Sequence, residues 1–299
     1  YQSVLAGAKE LVIFSFDSFV TGHPGHHLLR QDFEKLAGLA ETIAKNPVQG
    51  VVGYKTPNSD AGGDLYLLDY IGMFGVSLVP DSKYPENAKV IFLPTQAATD
   101  HDMLAKIMKS LDNGAKIIMT TGFIANANCG EKLAQLAQIK WPLPRVQSVA
   151  ETIISESNPQ KLKFPLNMDY QIIPDGADIL LQTADPANNP FLIQNQSRTV
   201  FVLNSHTFSQ KDFDEVGEVL LCPRQLGLLE LPKPWVNTIR SAFHSVDEPV
   251  IDAPSRVSMQ QLSNRSFIIH NYNQENTNVN IRLPQAAEYV DGFSGKPIP

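Results

Sequence analysis

The chain has 299 residues, 43% of them hydrophobic and 18% charged, with a formal net charge of -7. That length suits about two domains, and without a Lys/Arg run the acidic balance excludes a phosphate-backbone binder. No apolar run approaches the roughly 20 residues of a membrane span, and Cys129 and Cys222 lack the number and spacing of a disulfide framework or zinc site. The first residue is Tyr1, with neither initiator Met nor signal peptide, as expected of a processed product or a cut boundary. Asn195-Gln196-Ser197 and Asn264-Arg265-Ser266 match the glycosylation sequon, a pattern short enough to arise by chance.

Residues 1 to 46 read as one βα unit. Val4 to Ala8 could close a helix, and Glu10 to Phe16 is an apolar strand followed by Asp17-Ser18. A polar loop, Thr21 to His27, leads into a helix from Arg30 to Ala44 with Phe33, Leu36, Ala37, Ala40 and Ile43 on one face. One such unit cannot bury both of its faces alone.

Residues 47 to 246 read as an α/β domain. Val48 to Tyr54 is a strand, Lys55 to Asp64 a polar Gly-rich loop, and Leu65 to Phe74 a helix ended by Gly75. Val76 to Val79 is the next strand. Then comes the most regular stretch. Val90 to Leu93 is a short apolar run closed by Pro94, as a fully buried strand would be. Thr99 or Asp100 can cap a helix, with Asp102 in its first turn. Met103, Leu104, Ile107, Met108 and Leu111 make one helical stripe, stopped by Asn113-Gly114. Lys116 to Met119 is a second buried strand. Together these predict a doubly wound parallel sheet, whose ligands bind beyond the carboxyl ends of the strands, here Thr95-Gln96 and Thr121-Gly122-Phe123.

Beyond Phe123 the pattern predicts a helix over Glu131 to Ile139, strands over Val149 to Ser155 and Asp178 to Thr183, and a hairpin of Phe191 to Gln194 with Thr199 to Leu203 at the far edge of the sheet. A closing helix spans Trp235 to Phe243. Residues 247 to 299 open on a Pro-rich linker, Asp247 to Pro254. Alternating runs at Ser266 to Tyr272, Val279 to Leu283 and Ala287 to Val290 then predict a small antiparallel β domain, a β-sandwich, with Asp291 to Lys296 as a hairpin edge.

Three places invite chemistry. His23, His26 and His27 crowd one loop near Asp17 and Asp32; imidazoles suit zinc, copper or nickel. With no Cys beside them, two other readings compete: polar side chains, Asp17 included, lent to a sugar pocket, or a plain solvated loop. No metal and no cofactor are expected. In the Lys55 to Asp64 loop, Asp64 is read as a helix cap. Tyr54, Lys55 and Asp60, with Thr95 and Thr121, are candidate ligand contacts at the sheet edge. The loop is not a P-loop, since Gly-Lys-Ser/Thr is absent. Finally, a glutamine-amidotransferase fold carries a nucleophilic Cys on the turn after a central strand and a His base after a later one. Here that turn reads Thr121-Gly122-Phe123, Cys129 lies too far along, and His206 after the later strand has no nucleophile to serve.

Three segments share a resemblance. AGAKELVIFSF followed by GHPGHHLLRQDFEKLAGLAETI resembles the last barrel strand and helix of the trimeric bacterial β-galactosidases, which are (β/α)8-barrel glycoside hydrolases. Phe14-Ser15-Phe16 holds the place of that family's Phe-Gln-Trp, and its following Arg and Glu have no counterpart. AKVIFLPTQAATDHDMLAKIMKSLDNGAKIIMTTGF is similar to the core of the family's trimerisation domain, an amidotransferase-like fold without its nucleophile. RSFIIHNYNQENTNVNIRLP resembles the family's small C-terminal β domain.

The resemblance implies a flavodoxin-like, class I amidotransferase-like α/β domain between a barrel-type βα remnant and a β-sandwich. It also implies a parent that cleaves β-linked sugars with two glutamates on barrel strands, both upstream of Tyr1. No residue here inherits either role. The expectation is a non-catalytic region that forms homo-oligomers and shapes a neighbouring active site, in an extracytoplasmic protein without nucleic-acid or membrane partners. The rivals are a carbohydrate or small-ligand binding module and an amidotransferase-like hydrolase.

Overall fold

A computed structural model describes residues 4, 17, 20–22, 24–57, 59, 71–185, 188–204, 227–245, 248–273, 275–292 and 295–297. Its centre is a nine-stranded mixed sheet. After β1 (Val48–Gln49), which belongs to another sheet, its strands are β2 (Val51–Tyr54), β3 (Leu78–Asp81), β4 (Val90–Leu93), β5 (Lys116–Thr120), β6 (Arg145–Ser155), β7 (Asn158–Tyr170), β8 (Asp178–Asp185), β9 (Pro190–Gln194) and β10 (Val200–Leu203). Across the sheet the order is β3-β2-β4-β5-β10-β9-β8-β6-β7. Neighbours from β3 to β10 are parallel, and all pairs beyond β10 are antiparallel.

The parallel part is apolar on both faces. All four residues of β4 and of β10 are buried, because a cluster of side chains covers each side. The helices are α1 (Pro24–Lys45), α2 (Met103–Asp112), α3 (Thr121–Asn126), α4 (Gly130–Ala137) and α5 (Lys233–Phe243), with 3-10 turns at Thr95–Thr99 and Gly227–Glu230. Phe92 and Ile118 face α5, meeting a cluster with Trp235, Ile239 and Phe243. Ile91, Leu93, Ile117 and Met119 face the other way, toward Met103, Ile107, Phe123 and Leu133 of α2 to α4. This is the period of two that a strand imposes on its side chains. Trp235, 1% exposed, satisfies its indole by donating Nε1–H to the Ile154 carbonyl at 2.7 Å.

The C-terminal residues form β11 (Val250–Asp252), β12 (Val257–Leu262), β13 (Phe267–Asn271) and β14 (Asn280–Arg282). They make a three-stranded antiparallel sheet, β1-β12-β13, and a two-stranded one, β11-β14, with Ile251, Ala253, Val257 and Met259 buried together. The second half of α1 lays Leu36, Leu39, Ala40 and Ile43 against Val48, Leu262 and Ile268 of the three-stranded sheet. Phe33, in the first half, is 59% exposed.

Several elements differ from the expectation. The strand expected over Val48 to Tyr54 is split at Gly50, where φ is +145° and the chain passes so close to Ser77 that a Cβ would lie 2.1 Å from the Ser77 carbonyl oxygen. Ser77 Oγ in turn donates to the Gln49 carbonyl at 2.5 Å and accepts the Gln261 amide at 3.0 Å, tying both sheets together. The strand expected over Val76 to Val79 lies two residues later. The hairpin of β9 and β10 is formed, but β10 pairs with β5 inside the sheet, and three further strands follow β9. One of these is β7, which no pattern marked. The expected linker holds β11, β12 was missed, and Ala287 to Val290 makes only an isolated bridge at Val290. α1 begins at Pro24, so His26 and His27 are helical rather than in a loop. The expected strand Glu10 to Phe16 and most of the helix Leu65 to Phe74 lie outside the described residues. Among the described residues no helix is long and apolar enough to cross a membrane.

Candidate functional site

From β2 the chain steps outward to β3, then returns past β2 to β4. The crevice between the carboxyl ends of β2 and β4 is therefore the switch point at which an open α/β sheet receives ligands. Its polar groups are engaged with one another. Tyr54, the last residue of β2, donates its hydroxyl to Asp100 Oδ2 at 2.7 Å, and Lys106 Nζ donates to the same oxygen at 2.6 Å. Asp100 Oδ1 accepts the Asp102 amide at 3.0 Å. The Asp100 side chain is 9% exposed and that of Lys106 34%. Tyr84 meets Tyr54 edge-on with ring centroids 5.3 Å apart, lies under the Lys106 ammonium, and pairs its hydroxyl with Ser110 Oγ at 3.0 Å. The Thr56 and Thr99 hydroxyls bond to each other, and each reaches the Gln96 carbonyl at 3.4 Å.

The electrostatics follow from this packing. Burial pushes the Asp100 carboxyl up, but Lys106, Tyr54 and the Asp102 amide outweigh it and hold the group below the ordinary carboxylate value. Burial, then the hydrogen bond to the Asp100 carboxylate, pushes the Tyr54 phenol well above its usual value. Tyr84 is raised as well, chiefly by burial. With its phenol raised and its carboxyl lowered, the Tyr54–Asp100 pair is not poised to titrate near neutrality as an acid or base.

A second network closes the turn after β5. Thr120 Oγ1 accepts the Phe123 amide at 3.0 Å and so caps α3. Thr121, fully buried, donates its hydroxyl to Asn204 Oδ1 at 3.1 Å. Asn204 follows β10 and donates Nδ2–H to the carbonyls of Tyr170 at 2.8 Å and Pro190 at 3.1 Å. Asn189 Nδ2 reaches the same Tyr170 carbonyl at 2.8 Å. These amides join β10, β9 and the end of β7, which is why buried Asn residues are tolerated there.

The candidates named from sequence fall into these networks or outside them. Tyr54 sits in the first and Thr121 in the second; Thr95 opens the 3-10 turn between them, half-buried, and Lys55 is exposed. Asp17 is exposed, its carbonyl accepting from Thr21. His27 is exposed beside Gln31 Nε2 at 3.1 Å, and His26 is half-buried. His23, Asp60, His206 and Cys222 lie outside the described residues. Cys129 is the N-cap residue of α4, and burial pushes its thiol up, away from the thiolate a nucleophile needs. Sequence reasoning missed Asp100 as a partner of Tyr54, and missed Lys106, Tyr84 and Asn204. Only Asn204 carried a signal, as a polar residue directly after a continuous apolar strand.

A family model described as "Uncharacterized protein SSO3021, second domain" matches residues 48–204. Among solved structures, the β-galactosidase from Bacillus circulans sp. alkalophilus is 12% identical with a TM-score of 0.49, covering 89% of this chain and 42% of that one. The cold-adapted β-galactosidase from Rahnella sp. R3 is 13% identical with a TM-score of 0.49, over 89% and 42%. A GH42 β-galactosidase from G. stearothermophilus is 13% identical with a TM-score of 0.47, over 89% and 41%. The chain thus spans about two fifths of the length of these structures. No curated protein sequence matches it.

Proposed function

This chain belongs to the family of the uncharacterized protein SSO3021, second domain, and from that premise we propose that it is a non-catalytic accessory region of a glycoside-hydrolase-like, β-galactosidase-type protein. Its role is to form homo-oligomers and to shape an active site built by other residues. The observation that carries the reading is the turn after β5. An amidotransferase-like fold needs its nucleophile there, and this chain has a fully buried Thr121 whose hydroxyl is spent on Asn204. The switch-point crevice supports the same reading, because Tyr54, Asp100 and Lys106, and Thr56 with Thr99, satisfy each other. The order β3-β2-β4-β5-β10 supports a flavodoxin-like assignment for the parallel half. The glycoside-hydrolase part rests on the three sequence segments that resemble the trimeric β-galactosidases, in the same order.

Light scattering coupled to gel filtration tests the assembly role. A homo-oligomer mass, stable on dilution, is the expected result; a monomer at high concentration sinks the role. A carbohydrate-binding module is the second reading, favoured by the partly exposed Lys106 and the exposed Thr99 at the switch point. Calorimetry against a glycan panel separates the two: binding that disappears in Asp100→Asn would favour the module.

A further inference from the structure

Two Asn-X-Ser sequons occur in the chain, and the fold treats their asparagines in opposite ways. Asn195, in Asn195-Gln196-Ser197, is 7% exposed and uses both ends of its carboxamide. Its Oδ1 accepts the Thr199 and Val200 amides at 3.0 and 3.1 Å, and its Nδ2 donates to the Leu136 carbonyl at 3.3 Å and to Thr199 Oγ1 at 3.4 Å. A sugar on that nitrogen would replace one of its two N–H groups and force the side chain out of the turn between β9 and β10.

Asn264, in Asn264-Arg265-Ser266, stands at the tip of the β12–β13 hairpin. The Arg265 amide donates to the Leu262 carbonyl at 2.9 Å, the Leu262 amide donates to the Ser266 carbonyl at 2.8 Å, and Arg265 takes a φ of +67°. This is the hairpin loop in which a tight turn is followed by one left-handed residue. Ser263, Asn264 and Arg265 are all exposed on it. Asn264 Oδ1 accepts the Ser266 amide at 3.1 Å and the Ser266 hydroxyl at 2.6 Å, which holds the two sequon side chains together. Asn264 Nδ2 has no acceptor among the described residues. A sugar on this nitrogen therefore leaves every hydrogen bond of the turn in place.

We infer that Asn264 is an acceptor site for an N-linked glycan and that Asn195 is not. The donor class is an oligosaccharide carried on a lipid pyrophosphate and delivered by a membrane-bound transferase. A bond forms between Asn264 Nδ2 and the anomeric carbon of the sugar. The bond from that carbon to the pyrophosphate oxygen breaks, and the proton lost by the nitrogen leaves with the pyrophosphate. The glycan, bulky and hydrated, then occupies the solvent beyond the hairpin tip.

The test is site mapping on the full chain secreted from a eukaryotic host, with the folded fraction taken from gel filtration. Peptide N-glycosidase in heavy-oxygen water converts each glycan-bearing Asn to a mass-labelled Asp, which mass spectrometry locates. The label should fall at position 264 and be absent from position 195. Asn264→Gln and Ser266→Ala should each lose the glycan, and Ser266→Thr, which keeps the hydroxyl, should retain it. The mapping itself needs no variant, so it stands if a substitution disturbs the hairpin. An unmodified Asn264, or a glycan on Asn195 of the folded protein, overturns the inference.

Discussion

Replacing Asn204 by Ala tests whether the turn after β5 is a structural joint rather than a reactive one. Asn204 is 1% exposed, and the change removes its bonds to the Tyr170 and Pro190 carbonyls and its acceptor for the Thr121 hydroxyl. Three bonds at about 1 kcal/mol each set a first figure of about 3 kcal/mol. The Tyr170 carbonyl keeps its bond from Asn189, which lowers the cost, and the vacated amide volume raises it, so about 3 kcal/mol stands. Thr121→Val removes one of the three bonds and should cost about 1 kcal/mol. Urea unfolding followed by circular dichroism reads both, with unchanged m-values certifying a comparable denatured state. The double variant should show a coupling of about 1 kcal/mol, since the two side chains share one hydrogen bond. A cost below about 0.5 kcal/mol for Asn204→Ala, or no coupling, would refute the reasoning.

Other consequences follow from the same geometry. Gly50→Ala should cost more than about 2 kcal/mol, because the new Cβ would sit 2.1 Å from the Ser77 carbonyl oxygen at a φ of +145°. Gly38→Ala, in α1 with nothing within 4 Å, should instead stabilise by about 0.5–1 kcal/mol in the same urea assay. The Asp100 carboxyl has a folded pKa below its unfolded one, so its contribution is complete above about pH 4 and fades as pH falls through the folded value. Stability measured from neutral to acid pH should therefore fall less steeply in Asp100→Asn. Tyr54 has the opposite sign: its folded pKa is raised, so its contribution holds below about pH 10 and is lost as pH climbs through the folded value. Tyr54→Phe should flatten that alkaline limb.

The sequence was most legible where local and tertiary preferences agree. Val90 to Leu93 is apolar throughout and ends at a proline, and β4 has those bounds. The stop at Asn113-Gly114 held because Gly114 adopts a φ of +81° that a side chain would resist. What was illegible has physical causes. β7 contains Pro159, Pro165, Lys161 and Lys163, residues that weaken a strand reading but are tolerated at a sheet edge, where β7 lies. Thr95–Thr99 winds into a 3-10 turn, so α2 starts only at Met103, with Asp102 at its N-cap. Asp100, expected as a possible cap, gives Oδ2 to Tyr54 and Lys106 and Oδ1 to the Asp102 amide just before α2. Met108 of the expected stripe is 41% exposed, whereas Ser110 is buried against Tyr84. The sheet edge was legible, but the partner of Tyr54 was not: Asp100 lies 46 positions away, a separation that no spacing pattern registers.

Turnover of an aryl β-galactoside by the purified chain bears most directly on the claim that no catalytic machinery resides in these 299 residues. The account predicts a rate indistinguishable from buffer at every pH between about 4 and 10, the span over which glycosidase carboxylates titrate. Saturable hydrolysis that follows the protein through repurification would contradict it.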